Sequence, residues 1–462
     1  MSTAFLAALL RGMTSAVAVA LVSFLIGLPT GLAIALHEFP LRRLLAFAIG
    51  VGLVLPSFLM AIGLSMLAGG HLPGWIGTAW SLLPIGFALV VFATFAATSN
   101  ITGSQIAAAR LAGGERVVLQ ESARAAWPVA ALAATFAGIL ALSDAGPGLV
   151  FGYPGAAAEI LTSFSAQYDF RQASRQCLVL TGVVAALALP CAAMLAPRLA
   201  HGLLARDTSS ARATGTKWKG AEASVVLSVV FVVLGLPLTG LLFPLLRDFP
   251  IMRALADTGR TASYTLIYAL SAGVIATALG FALAICARHS QRVQALLLTG
   301  LLILLALPPA FTALGWVQLA TIAPEELDWL MRGGPLLALH SGLRSLPVAT
   351  LFALRAVNSA SPGWYAAAEL HGVRPVSFMR KVLIPWAAPA LWTSAGAVAL
   401  LSLTDITSAL LLHPPGRGTI SLTILSVMAN APEAYVATLC LVYLVASLCV
   451  VALGTRIVRP WL

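Results

Sequence analysis

Charged residues are scarce in this 462-residue sequence: Asp, Glu, Lys and Arg together make up only 9%. Soluble domains carry about 25%. A fold with so little polar surface would aggregate in water, so lipid is the expected solvent for most of the chain. Strand-like alternation of apolar and polar residues is missing, which argues against a β-barrel. The five cysteines, Cys177, Cys191, Cys286, Cys440 and Cys449, all fall in apolar segments and form no CxxC pair. They read as small core residues, not as a disulfide or metal framework. There is no GxxxxGK[ST] phosphate loop, and the LysTrpLysGly stretch from Lys217 is not one. HExxH, GxSxG and zinc-type Cys/His sets are also missing, so no catalytic constellation and no ATP hydrolysis by this chain alone are expected. Met1 to Leu10 is apolar, but no charged leader precedes it and Arg11 follows it. No removable signal peptide is expected.

What the sequence has in abundance is apolar length. Hydrophobic residues make up 60% of it, in recurring runs of about 20, each long enough to cross a bilayer as a helix. We read eleven spans, near 13–36, 44–68, 78–98, 127–147, 176–197, 222–245, 263–286, 293–320, 336–356, 385–408 and 435–455. The formal net charge of +11 would suggest nucleic acid for a soluble protein. Here the basic residues concentrate in alternate short loops, as membrane orientation requires, and no nucleic-acid partner is expected. Arg42 and Arg43; Arg110, Arg116 and Arg124; Arg198, Arg206, Arg212, Lys217 and Lys219; Arg374, Arg380 and Lys381 all fall on one side if the N-terminus is outside. That bias places the C-terminus inside. The longest break, Leu199 to Gly220, is polar, basic and rich in small residues from Arg206 on, the composition of a flexible linker.

The two sides of that linker resemble each other. Leu55-Pro56 with Gly63 matches Leu307-Pro308 with Gly315. Ser143-Asp144 with Pro154-Gly155 matches Thr404-Asp405 with Pro415-Gly416, and Gly31 matches Gly280. The matches keep one order. Five spans precede the linker and the extra span at 222–245 returns the chain to the outside, so both repeats start on the same side. The expected fold is an all-α polytopic membrane protein with two parallel five-helix repeats and one linking helix. Its parts are a first unit at 1–198, a cytoplasmic linker at 199–221, a linking helix and outer loop at 222–262, and a second unit at 263–462. Parallel halves suit a pathway at their mutual interface, whereas many ion-coupled carriers use inverted repeats.

The stretch from Ala366 to Pro385 lies in an expected inside loop. Ala366, Ala367 and Ala368 favour a short, closely packing helix, and Gly372 allows a turn that a side chain would hinder. Arg374, Arg380 and Lys381 give it a basic face, and Pro385 is placed to open the next membrane helix. These residues resemble the coupling loop of the permease subunits of binding-protein-dependent ABC importers. That loop reads EAA, three residues, Gly, nine residues, then Ile-x-Leu-Pro. Here Ala366-Ala367-Ala368, Gly372, Val382, Ile384 and Pro385 keep the spacing, with Ala366 in place of Glu. The first-half counterpart, Ala107-Ala108-Ala109 with Gly113 and then Trp127-Pro128, departs from the pattern, because the interval from Gly113 to the proline is longer. Glu115, Arg116 and Glu121 are alternative contacts there.

The fused two-unit arrangement, the run from Thr404-Asp405 through LeuLeuLeuHisProProGlyArgGlyThr and the SerAspAlaGlyPro from Ser143 are similar to the ferric-iron, thiamine and aminoethylphosphonate type of permease. That type commonly has twelve spans against the eleven expected here, and its extra N-terminal helix is not expected in this sequence. The resemblance implies a bacterial inner-membrane, multi-pass subunit working with two copies of an ATP-binding subunit and a periplasmic solute-binding protein. The chain itself would hold no cofactor, ATP residing on the partners.

Several residues admit two readings. Asp144 and Asp405 line the outer mouth of a pathway or cap the backbone that follows them, and capping is favoured. Arg344 and His340 bind an anionic solute or reach out to the interface, and the second is favoured. Gly27 and Gly31 pack a helix closely or form a hinge. The Pro-Gly turns receive a binding protein or are plain turns. An ion-coupled carrier ranks second to an ATP-driven permease, since few acids lie deep in the expected spans. A lipid-modifying enzyme ranks third.

Overall fold

The computed structural model describes residues 3–99, 101–204, 220–414, 416–428 and 430–458. The core of the expected linker, with Arg206, Arg212, Lys217 and Lys219, lies outside the described residues, as do Pro415 and Arg459. Among the described residues no β-strand forms. The fold is all-α and polytopic.

The first half runs α1 (Thr3–Leu36), α2 (Arg42–Gly52), α3 (Ser57–Ala68), α4 (Gly74–Ser99), α5 (Gly103–Leu142), α6 (Gly146–Val150), α7 (Ala156–Ser165) and α8 (Phe170–Leu204). The linking helix is α9 (Gly220–Val230), a π-helical turn at Phe231–Gly235 and α10 (Leu236–Leu242). The second half runs α11 (Ile251–Ala287), α12 (Gln291–Ala306), α13 (Pro309–Ile322), α14 (Asp328–Met331), α15 (Gly334–Arg344) and α16 (Leu346–Ser359). It ends with α17 (Pro362–Leu370), α18 (Pro375–Phe378), α19 (Ile384–Thr404), α20 (Ile406–Leu412), α21 (Ile420–Val427) and α22 (Glu433–Val458).

Among the described residues seven helices are long and apolar enough to cross a membrane, or ten if three bent pairs each count as one crossing. Eleven spans were expected. The bent pairs are α2 with α3 (104°), α12 with α13 (87°) and α15 with α16 (54°), which sit where 44–68, 293–320 and 336–356 were read as single spans. The span expected at 435–455 falls on α22, whose described apolar stretch, Glu433–Leu448, is short. Two of the breaks lie at prolines. Proline lacks an N–H and pushes the residue before it out of the helical region. Leu307 and Pro308, each followed by a proline, accordingly take ψ 137° and 133°, and Pro56 itself stands at the α2–α3 break with ψ 129°. The third pair bends at Ser345, with ψ 1°.

Proline is handled differently at Pro385. The helix does not start there. It begins at Pro375, and a π-helical turn at Met379–Leu383 widens the backbone just before Ile384-Pro385. The same device, Phe231–Gly235, precedes Leu236-Pro237 in the linking helix. A widened turn relieves the clash between a proline ring and the carbonyl one turn back.

Two apolar clusters join the halves. In one, α8 contributes Leu180, Val184, Ala188, Ala192, Ala196 and Ala200, which pack with Leu298, Leu302 and Ala306 of α12. In the other, Phe58, Leu59 and Ile62 of α3 meet Leu439, Cys440 and Tyr443 of α22, together with Val233, Leu234 and Leu241 of the linking helix. Each half thus lays its broken helix against the last long helix of the other.

The linking helix makes the halves unequal. A Cβ on Gly63 would run into the carbonyl of Pro237, and one on Gly240 would run into the carbonyl of Gly63, so α3 and α10 cross backbone to backbone. Gly315, the sequence counterpart of Gly63, has open space around it. Gly63→Val is therefore expected to overpack this crossing at a cost of about 1–3 kcal/mol, whereas Gly315→Val leaves stability nearly unchanged. Thermal unfolding of the two detergent-purified variants checks the contrast; equal midpoints would contradict it.

Candidate functional site

The helix breaks of both halves converge on one polar cluster. A helix end leaves carbonyls without intrahelical donors, and in lipid no water supplies them. At the end of α12 the chain turns out of the helix before Pro308 and Pro309, so the Ala306 and Leu307 carbonyls lose the donors that a continuing helix would bring. Two side chains make the loss good. Ser143 Oγ, from the end of α5, donates to the Ala306 carbonyl at 3.2 Å. Arg344 Nη1, from the end of α15, donates to the Leu307 carbonyl at 2.8 Å. Arg344 also pairs with Asp405, Nε to Oδ2 3.4 Å.

Asp405 sits between α19 and α20 and caps the latter. Its Oδ1 accepts the Ser408 N–H at 3.0 Å and its Oδ2 accepts the Ser408 hydroxyl at 2.6 Å. The Ser408 hydroxyl in turn lies 2.7 Å from His340 Nε2. Asp144, between α5 and α6, is the first-half counterpart. Its Oδ1 accepts the Gly146 N–H at 2.9 Å, and its Oδ2 accepts the Ser57 hydroxyl at 2.5 Å. Ser57 opens α3 directly after the Leu55-Pro56 break. Arg344 is within electrostatic reach of both carboxylates.

Both acids therefore cap backbone and also belong to a shared charge cluster. His340 and Arg344, expected to reach outward, turn inward instead: His340 is 2% exposed and the Arg344 side chain 17%. The bend at Ser345 and the uncapped carbonyl of Leu307 give the guanidinium nearer partners than the interface. The signal in the sequence was an Arg and a His four residues apart within an apolar stretch. Ser57, Ser408 and the Leu307 carbonyl carried no signal of their own.

The second element of interest is a pair of glycine-turned loops. Ala366, Ala367 and Ala368 lie on α17, which Ser361 caps by accepting the Gly363 N–H. Gly372 adopts φ +63°, the left-handed region, and the Val373 N–H reaches the Ala368 carbonyl at 2.8 Å. One side of α17 is braced. Tyr365 and Ala368 pack with Phe378, Leu383, Phe281 and Ile285, and the Arg288 guanidinium lies 4.3 Å from the Tyr365 ring centroid. The other side is open, with Ala366, Ala367, Gly372 and Arg374 exposed and Leu370 85% exposed.

The first half repeats the plan. Thr102 and Gln105 form a capping box, and Ala107, Ala108 and Ala109 follow on the opening turns of α5. The turn differs from expectation. Gly113 is extended (φ −176°), and the left-handed residue is Gly114 (φ +68°). Glu115 is held by Arg110 at 2.6 Å and Glu121 by Arg124 at 2.8 Å, both at the surface. Ile106 and Val118 pack on Leu32, Ala35 and Leu36 at the end of α1, as Tyr365 and Phe378 pack near the end of α11. Leu111 is 89% exposed.

Residues 276–460 match the family described as the inner membrane component of binding-protein-dependent transport systems. The matched residues are thus similar to the permeases of ABC importers. The match takes in the Gly372 loop, Arg344 and Asp405, while the first half lies outside the matched residues. No curated protein matches the chain. The permease family is a transport component, not the catalytic ATPase, and its members work with ATP-binding and solute-binding partners.

The Arg344–Asp405 pair gives a direct test of the cluster. Arg344→Met leaves Asp405 and the Leu307 carbonyl without their cation and is expected to cost about 3 kcal/mol. The double variant Arg344→Met with Asp405→Asn should recover part of that loss. Unfolding midpoints of the two singles and the double supply the cycle, and strictly additive losses would show that the pair is not coupled.

Proposed function

We propose that this chain is the membrane-spanning subunit of an ATP-driven importer in a bacterial inner membrane. A small solute, handed over by a periplasmic binding protein, passes between the halves. Two ATP-binding subunits dock on the cytoplasmic side, one on Ala366 to Arg374 and one on Ala107 to Gly113. The two exposed leucines carry this reading. Leu370 and Leu111 stand at matched positions, each on a short helix turned by a glycine and braced against a long helix of its own half. Exposed apolar residues on rigid loops suit a partner's groove better than open water.

Force applied at α17 reaches the core by a short covalent route. The chain passes from Gly372 through α18 and the π-helical turn into α19, which ends at Asp405. Closure of the ATP-binding subunits would shift that helix and bias the halves between inward-open and outward-open states. No nucleotide site is required of this chain, ATP being bound and cleaved by the partners. Ferric iron, thiamine and a phosphonate-like compound are all compatible solutes.

One observation favours the second reading, an ion-coupled carrier: Asp144 and Asp405 occupy broken helices, where such carriers hold their coupling ion. The two readings separate in reconstituted vesicles. The importer needs nucleotide and partner subunits, and uptake by the chain alone would replace it with the carrier. Within the importer, Gly372→Val forces a β-branched residue into the left-handed region at a cost of about 1–2 kcal/mol. It should weaken retention of the ATP-binding subunit by about tenfold and abolish uptake while the chain still inserts. Unchanged uptake in this variant would remove the docking assignment.

A further inference from the structure

The matched carboxylates are not matched in charge. Asp405 holds a guanidinium. Asp144 holds a hydroxyl and one backbone N–H. Arg344 lies within electrostatic reach of Asp144, but its hydrogen bond goes to the Leu307 carbonyl and its ion pair to Asp405. Two acids therefore share one Arg in the middle of an apolar protein, where an unbalanced charge is costly.

Asp144 is partly exposed, and its neighbour Ser143 bonds across to the other half through the Ala306 carbonyl. The carboxylate thus stands beside the seam between halves. An ionised carboxylate offers about four lone-pair sites, and Ser57 and Gly146 account for two. The molecule shows in its own second half what the remaining sites accept, since the Asp405 carboxylate takes the planar N–H donors of Arg344.

We infer that Asp144 is the charge-selecting contact of the translocation path, and that the solute it takes is an organic cation bearing N–H donors, of guanidinium or ammonium type. The inference rests on the permease reading and names its substrate class. A cation at Asp144 balances the second carboxylate, and the Arg344–Asp405 pair beside it keeps the other acid from competing. An anionic solute would meet an uncovered carboxylate at the seam and be turned back.

The experiment is a thermal shift on the purified full-length chain in detergent, with no partner subunit and no nucleotide. Methylguanidinium chloride is titrated to about 10 mM, the range in which millimolar affinities are visible, against sodium chloride of equal ionic strength. Binding to the folded state should raise the unfolding midpoint by about 1–2 °C. The rise should vanish in Asp144→Asn, which keeps the shape and removes the charge. Methylphosphonate on the unaltered chain provides a measurement that depends on no variant, and it should give no rise. The inference is overturned if methylguanidinium gives no rise, if Asp144→Asn keeps the full rise, or if methylphosphonate raises the midpoint instead. These outcomes leave the nucleotide requirement of uptake untouched, so either proposal can fail alone.

Discussion

A carbonyl group that loses its helical donor inside a membrane has to find another, and that requirement organises the centre of this protein. The α12 helix stops before two prolines and leaves the Ala306 and Leu307 carbonyls facing the interior. Ser143 answers one from the opposite half, and Arg344 answers the other from the neighbouring helix. Once a guanidinium is committed there, a carboxylate close to it is favoured, and Asp405 fills that place while capping α20. The bend between α12 and α13 creates the shortage, and the Ser143 bond across the seam and the Arg344–Asp405 pair answer it.

That shortage was partly legible in the sequence. Leu55-Pro56 and Leu307-Pro308 stood out as repeated pairs, although the runs that hold them read as single spans, and the repeated acids stood out beside them. The direction of Arg344 was not legible, because snorkelling and inward pairing draw on the same residue type and differ only in where the carbonyls lie. The described residues leave the number of crossings between seven and ten for a related reason. Apolar length sets how much chain can sit in lipid, but proline geometry decides whether a run crosses straight, bends or turns back. Helical backbone begins upstream of Pro385, at Pro375, since a π-helical turn lets a proline sit within a continuous helix and leaves no compositional trace. Gly372 was read correctly as a turn residue. In the first loop two adjacent glycines compete for the role, and only the backbone assigns it to Gly114.

The halves resemble each other most where they meet and least where they face outward. Both loops brace against the end of the first long helix of their own half, and both broken helices lie against the last helix of the other. The linking helix falls on one side alone. Sequence symmetry at Gly63 and Gly315 therefore hides a physical difference: the first is a crossing point of two backbones, the second an open surface. A repeat preserves residues more readily than it preserves their neighbours.

The backbone crossing of Gly63 and Gly240 also bears on the order in which the protein can be assembled. Chain synthesis runs from the N-terminus, and α3 is complete long before α10 exists. Until about residue 240 has left the ribosome, the glycine face of α3 has only lipid against it. The first half thus enters the bilayer as a provisional bundle and gains its final packing only when the chain beyond the linker returns to close over it.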